Sequence, residues 1–443
     1  MAKAKKKDAL SLEEKLERAL VPVDEQPYEV PENWCWLYLG ALLTEIKNGT
    51  TIKQDKSEEG YSVTRIESLQ NQTIDFNRLG TIVDSNTIKE TDWYQAGDIA
   101  MSHINSAEHV GKTAMITEDM LPLVHGMNLL RLRFNKCCLP RYFQYFTQSY
   151  QYKDEILKRI NMAVNQVSIN QKQVGTLEFP LPPLAEQQRI VEQIENLFSM
   201  LDEAKEKAQE ALESISNRKS AILVNAFSGK LTEKWRNKKG YNIDSWESCK
   251  ISDVFDLKAG KNISATKIVE EQDATHRYQC FGGNGVRGYV EEYNQDGDFC
   301  IIGRQGALCG NINVARGQFY ATEHAVLVKY KKPVYLLWAE HYLRYMNLNQ
   351  YATSVAQPGL AVGKINEVHM IYVPYEEQCE IGNNIESLFT KEDSVKANIE
   401  VVIEKIEILK KTILAKAFRG ELGTNNPDEE SSIALLKEML EKN

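Results

Sequence analysis

The sequence is poor in the arrangements that do chemistry. Seven histidines are scattered through 443 residues without a His-Glu-x-x-His or any other ligand spacing, which argues against a zinc site. His324 and His341 stand beside Glu323 and Glu340, but that spacing holds no metal. The eight cysteines form no Cys-x-x-Cys pair and Cys137 and Cys138 are adjacent, so reduced thiols in a cytoplasmic protein are expected, not a disulfide framework. No apolar run reaches the roughly 18 residues of a membrane helix. The basic start, Met1-Ala-Lys-Ala-Lys-Lys-Lys7, leads into a charged amphipathic segment and reads as a solvated tail, not a signal peptide. No Gly-x-Gly-x-x-Gly follows a strand pattern. Gly363-Lys364 fails as a phosphate loop, because Pro358 takes the place of the first glycine and Ile365 that of the Ser/Thr. Acidic pairs such as Asp154-Glu155 and Glu291-Glu292 read as solvated charge. Excess basic charge is missing too. With 53 Lys and Arg against 62 Asp and Glu, the net charge is −9, which argues against a chain that holds nucleic acid by charge alone. The chain reads as a non-enzyme.

What is present is a repeat. Pro180-Leu-Pro-Pro-Leu-Ala-Glu-Gln-Gln-Arg189 leads into a long helical pattern ending at Ala226-Phe-Ser-Gly-Lys-Leu231. Val373-Pro-Tyr-Glu-Glu-Gln-Cys-Glu380 leads into a second, ending at Ala417-Phe-Arg-Gly-Glu-Leu422. Glu186-Gln187 falls on Glu377-Gln378 and Ala226-Phe227 on Ala417-Phe418, a constant offset of 191 residues without a gap. In the first copy Ile190, Ile194, Leu197, Leu201, Ala204, Ala208, Ala211 and Ile215 alternate spacings of four and three. In the second, Ile381, Ile385, Leu388, Val395, Ile399, Val402, Ile406, Leu409 and Ile413 keep the rhythm, with Glu392 as the charged interruption. That is a coiled-coil seam. Small side chains on one stripe and large ones on the other predict that the two helices pack together.

The remaining chain falls into pieces around these helices. Residues 1–31 hold a tail and a short helix, where Ser11 and Glu14 have capping-box form. Residues 32–180 and 236–374 are two globular segments of short strands and helices, 181–235 and 375–423 the long-helix spacers, and 424–443 a linker with a last short helix. The globular segments share a loose plan: Asn33-Trp34 is echoed by Ser245-Trp246, Glu45-Ile-Lys-Asn-Gly49 by Asp256-Leu-Lys-Ala-Gly260, and Gly97-Asp98 by Gly297-Asp298. The fold class expected is α+β: two globular domains of shared plan alternating with two long, antiparallel coiled-coil helices.

With the opening Glu29-Val-Pro-Glu-Asn-Trp34, this pattern over about residues 20–425 resembles the specificity subunit of type I restriction-modification systems. The second leader departs from it by lacking the paired prolines. The resemblance implies a non-catalytic, cytoplasmic subunit that reads a bipartite sequence in double-stranded DNA, one half-site per globular domain, with the helices setting the gap. It implies as partners two methyltransferase subunits and restriction subunits, which carry S-adenosylmethionine, Mg and ATP; no cofactor is expected on this chain. The Asn-Pro-Pro-Tyr motif of adenine methyltransferases is absent here, as that division requires. A protein-bridging scaffold without DNA specificity is the alternative, and a stand-alone endonuclease lacks an acid cluster.

Base readout needs Arg or Lys for guanine and Asn or Gln for adenine. The candidates in the first domain are Lys47, Asn48, Thr50, Lys53, Arg65, His103, Asn105, Lys112, Asn165 and Gln166. In the second they are Lys261, Asn284, Arg287, Arg304, Gln305, Gln357 and Lys364, with Lys258 and Asn262 beside them. Arg304 follows Ile301-Ile302-Gly303, which reads as a buried strand ending in a tight turn. Charges within both domains nearly balance, so the excess acid lies in the helices and tails.

Overall fold

Two helices of 44 and 43 residues, Leu184–Phe227 and Tyr375–Ala417, occupy the two copies of the repeat. Pro183 and Pro374 stand just before them, and Gly229 and Gly420 just after, with φ of +81° and +72° that an L side chain rarely adopts. The computed structural model describes residues 11–54, 59–163, 166–306, 308–353 and 359–442. They form two units: one of residues up to 206 with 403 onward, the other of residues 207–402.

In the first unit Asp202 pairs with Lys410 at 2.5 Å and Lys205 with Glu407 at 2.5 Å. In the second, Arg218 pairs with Glu392 at 2.9 Å and Lys219 with Asp393 at 2.6 Å. Numbers fall along one helix as they rise along the other, so the helices pack antiparallel. These exposed pairs contribute about 0–1 kcal/mol each and set register more than stability. The seam holds at Ile190, Ile194, Ile215, Ile381, Ile385 and Ile406, all buried. It fails at Ala204, which is exposed, and at Val395, Val402 and Leu409, at 43%, 47% and 48% exposure. A straight helix drifts about 20° per heptad from a strict 3.5-residue repeat. The inward row therefore becomes Ile399, Ile403, Ile406, Lys410 and Ile413, and Glu392 is accommodated by Arg218.

The Glu-Gln pair at the start of each helix explains why the repeat preserves it. Gln187 donates to the carbonyls of Pro182 and Cys137 and accepts from the Leu139 amide. Gln378 does the same with Val373, Pro333 and Tyr335. Trp34 donates its indole N–H to Glu186 at 2.8 Å, and Trp246 to Glu377 at 2.8 Å. All four residues are at most 1% exposed, so each polar atom has to be satisfied where it stands. Glu377 is also paired with Arg236 at 2.5 Å. Glu186 has instead the Thr424 hydroxyl at 3.3 Å, while Arg189 turns to Glu429. Phe418 packs on Tyr142 and Phe146 in the first unit, and Phe227 on Tyr342 and Tyr345 in the second.

Each unit contains the same four-stranded antiparallel sheet. Its order in the first is Leu43–Asn48, Leu129–Phe134, Ile99–Ser102, Thr113–Met115; in the second, Phe255–Ala259, Ala325–Tyr330, Phe299–Gly303, Ile312–Ala315. Asn48 pairs with Leu130 and Ala259 with Val326, which places Gly49 and Gly260 at the same exit. A Cβ on Gly49 would lie 1.8 Å from the Gly126 carbonyl, and one on Gly260 2.1 Å from that of Ala321. Only glycine fits there. A two-stranded ribbon repeats as well, Cys35–Tyr38 with Glu178–Leu181 and Glu247–Lys250 with His369–Tyr372. The additions to this frame differ. The first unit carries a three-stranded sheet of Asn161–Ala163, Gln166–Ser168 and Ile104–Asn105. The second carries a mixed sheet in which Tyr278–Gly282 runs parallel to Gln318–Ala321.

The N-terminal helix Leu12–Ala19 has its Ser11–Glu14 capping box, and a last helix spans Ser432–Lys442. Among the described residues no helix is long and apolar enough to cross a membrane, and no group of three or more His, Cys, Asp or Glu is placed to hold a metal ion.

Candidate nucleic-acid interface

In the first unit the frame brings several candidates to neighbouring clefts. Asn48, at the end of its strand, and His103, just after Ile99–Ser102, line one cleft with Ser168 and Asn170. Asn105 and Lys112 line a second with Ser102 and His109. Lys53 and Arg65 line a third with Met127 and Asn128. The hairpin carrying Gln166 joins this set through Val167, which pairs with Asn105; Asn165 lies outside the described residues. Thr50 is held by its backbone, its amide donating to the His125 carbonyl at 2.8 Å. Burial lowers the pKa of His103, partly offset by a backbone hydrogen bond at Asn128.

Several candidates have side-chain partners in their own domain. Lys47 donates to the Thr91 carbonyl at 2.7 Å and lies 3.6 Å from Asp92. Arg65 donates to Gln54 at 2.8 Å and sits 3.1 Å from Glu67. Lys258 pairs with Asp256 at 2.8 Å. These three cations also have partners within their own domain.

In the second unit three loops stack backbone to backbone. A Cβ on Gly303 would lie 1.7 Å from the Gly283 carbonyl, and one on Gly283 3.2 Å from that of His324. The loops at 281–285, 303–306 and 321–324 therefore sit as close as main chains allow. Phe299–Gly303 is a buried strand, as expected, and Arg304 leaves it with its amide on the His324 carbonyl at 3.1 Å. Gln305 is exposed and bridges Gly359; Gln357 lies outside the described residues. Asn284 is exposed and 3.5 Å from Asn311, and Arg287 lies against Gly282. Lys261 joins through its amide on the Ala321 carbonyl at 3.0 Å, and the Asn262 carbonyl accepts from Tyr320. Lys364 is exposed on the short helix Val362–Asn366.

Sequence reasoning missed other residues at the same places. Buried polar atoms without a partner among the described residues include Ser102 Oγ, His103 Nδ1 and His109 Nδ1 in the first unit. In the second they include Arg304 Nε, Asn313 Nδ2, Thr322 Oγ1, Glu323 Oε2 and His324 Nδ1. Ser102, His103, Arg304 and Thr322 stand at or just after the ends of strands. Ser102 and Thr322, which end or follow buried strands, were the available signal.

A family model for the type I restriction modification DNA specificity domain matches residues 32–214 and 243–405. Over 145 residues the chain is 47% identical to the type I restriction enzyme EcoprrI specificity subunit of Escherichia coli, an overlap of 33% of this chain and 36% of that one. The chain thus spans about a third of that relative. It is 26% identical over 450 residues to the EcoKI specificity subunit of E. coli K12, covering 93% and 96%. In fold it is similar to the HsdS subunit from Thermoanaerobacter tengcongensis, with a TM-score of 0.64 at 17% identity over 89% of this chain and 99% of that one. A chain from a study of the complex assembly and conformational transition of the type I R-M system gives 0.68 at 18%, over 89% and 100%. By its two matched segments, covering most of its length, the chain belongs to the type I restriction-modification DNA specificity family.

Proposed function

We propose that this chain is the non-catalytic subunit that reads a bipartite DNA sequence, one half-site per domain, and directs adenine methylation and cleavage by partner subunits. The observation that carries this reading is a repeated frame, with the same sheet order and the same Gln and Trp contacts at each helix start, bearing unlike polar loops. Equal frames give equal placement; unlike loops give two different half-sequences. Asn48, Lys53, His103, Asn105, Lys112 and Gln166 serve the first half-site, and Lys261, Asn284, Arg287, Arg304, Gln305 and Lys364 the second. Phosphate attraction comes mainly from partners, since this chain is acidic. Two methyltransferase subunits dock on the outer faces of the long helices. There Val395, Val402 and Leu409 stand exposed at seven-residue spacing, apolar surface that a partner helix would cover. S-adenosylmethionine, Mg and ATP belong to those partners and to the restriction subunits.

The test is to co-express the chain with its methyltransferase subunit and map modified adenines across the host genome. A single split motif with a fixed gap is expected. Inserting four helical residues after Ala208 lengthens the helix by about 6 Å, so the gap should grow by about two base pairs while both half-sequences stay the same. A changed half-sequence would overturn the ruler. Partner binding without any motif would make the chain a protein bridge.

A further inference from the structure

In the second unit the hairpin formed by Tyr278–Gly282 and Gly285–Val290 is irregular next to its tip. Cys280 pairs with Gly288 but Phe281 with Val286, so Arg287 is one residue more than the opposite strand supplies. Consecutive side chains of a regular strand point to opposite faces. Across this bulge Val286 and Arg287 are both exposed, Val286 at 48%, as expected where a bulge re-aims a side chain. The Arg287 stem is also seated. A Cβ on Gly282 would stand 2.6 Å from Arg287 Cδ and 2.9 Å from its Cγ, and its three nearest atoms all belong to Arg287.

The two ends of the repeated sheet differ in charge pairing. At one, Asp98 is paired with Arg133 at 2.7 Å and Asp298 with Arg316 at 3.5 Å. At the other, Gly49 and Gly260 leave their strands. There Lys112 in the first unit, and Lys261, Arg287 and Arg304 in the second, have no ion pair among the described residues. The hairpin tip belongs to this second end: Asn284 is 3.5 Å from Asn311, which precedes the strand Ile312–Ala315.

We infer that Val286 and Arg287 are a base-reading pair of the second half-site. Arg287 donates two hydrogen bonds to O6 and N7 of a guanine, and Val286 covers the 5-methyl group of a thymine on the neighbouring base pair. This rests on the DNA-reading function proposed above. The DNA specificity domain occurs twice in this chain, once over each frame, so both copies meet DNA through the same end of the frame. The end with unpaired cations is the one that phosphate attracts. A two-stranded ribbon fits the major groove, where arginine matches guanine and an apolar side chain the thymine methyl. Val286 takes no part in either core cluster of its domain, which leaves its methyl groups available to a base.

The experiment uses the full chain in complex with its methyltransferase subunit. It maps the genomic adenine-methylation motif for wild type, Arg287→Ala, Gly282→Ala and Val286→Ala. Arg287→Ala should lower the preference for one guanine by roughly tenfold or more. Gly282→Ala, which displaces the Arg287 stem, should act at the same position. Val286→Ala should weaken only the adjacent thymine, and the other half-site and the gap should stay the same. Binding to a short duplex that carries the motif isolates the methyl group. Deoxyuridine in place of that thymine should weaken the wild-type complex roughly fourfold, the worth of one buried methyl, and leave the Val286→Ala complex unchanged. An unchanged motif in Arg287→Ala and Val286→Ala would overturn the inference while leaving the DNA-reading function intact. So would a motif altered in both half-sites, or methylation lost at every site, because each of these side chains reads one position. If the wild type yields no motif, the function proposed above fails, and this inference with it.

Discussion

The two buried glutamates that anchor the long helices should respond differently to the same substitution. Glu377 is 1% exposed and faces Arg236, itself 5% exposed, at 2.5 Å. Glu377→Gln keeps an acceptor for Trp246 or Thr232 but removes the charge, leaving a buried guanidinium without its counter-ion. Breaking a buried pair from one side costs about 3–5 kcal/mol, and the retained acceptor puts the loss near 3 kcal/mol. Glu186 is equally buried but receives only the Trp34 indole and the Thr424 hydroxyl. Burial pushes its carboxyl above the usual range, and those two hydrogen bonds offset part of the shift. A neutral glutamine removes that penalty and strands at most one donor, so Glu186→Gln should cost no more than about 1–2 kcal/mol. In a unit of this size 1 kcal/mol moves Tm by about 2–4 °C. Calorimetry of the full chain should therefore show a drop of roughly 6–12 °C in one transition for Glu377→Gln and only a few degrees for Glu186→Gln. Equal shifts, or a larger one for Glu186→Gln, would refute the assignment of the cost to Arg236.

Two further outcomes follow from the frame. Gly49→Ala and Gly260→Ala should each destabilise by about 2–3 kcal/mol or more in urea unfolding, because the added carbon meets a carbonyl oxygen at 1.8 and 2.1 Å; a neutral effect at either would show that the strand exit can relax. His125 is 1% exposed and burial lowers its pKa to about 3, so the folded state stays neutral where the unfolded chain takes up a proton. That contribution to stability is present above pH of about 6.5 and is lost as pH falls toward 3. Unfolding measured across this window should show a slope that His125→Gln flattens.

The repeated frame was legible because its residues answer to requirements that sequence expresses directly. A buried Glu-Gln pair needs the same neighbours wherever it occurs, and a strand exit against a carbonyl admits only glycine, so Glu186-Gln187, Glu377-Gln378, Gly49 and Gly260 stand out without a structure. The middle of the seam was less legible. Val395, Val402 and Leu409 keep the heptad rhythm, but helical drift turns them outward, and rhythm alone does not say where drift accumulates. The polar loops were least legible, because whether a cation is free depends on distant partners. Lys47 donates to Thr91, 44 residues on, and nothing local to Lys47 announces it.

The chain order through the two units bears on how the protein is made. Residues 207–402 are contiguous, so this unit has its whole core once its own segment has emerged during synthesis. The other cannot close until residues 403 onward follow, for Phe418 packs on Tyr142 and Phe146, and Leu436 is buried in that same core. The first domain to be translated is thus the last to be completed, and it waits on the ribosome with an apolar groove open for about two hundred residues of elongation. Domains are made at about 5–20 residues per second, so that wait is on the order of 10–40 s. Until then, the surface that Phe418 and Leu436 will cover stays exposed.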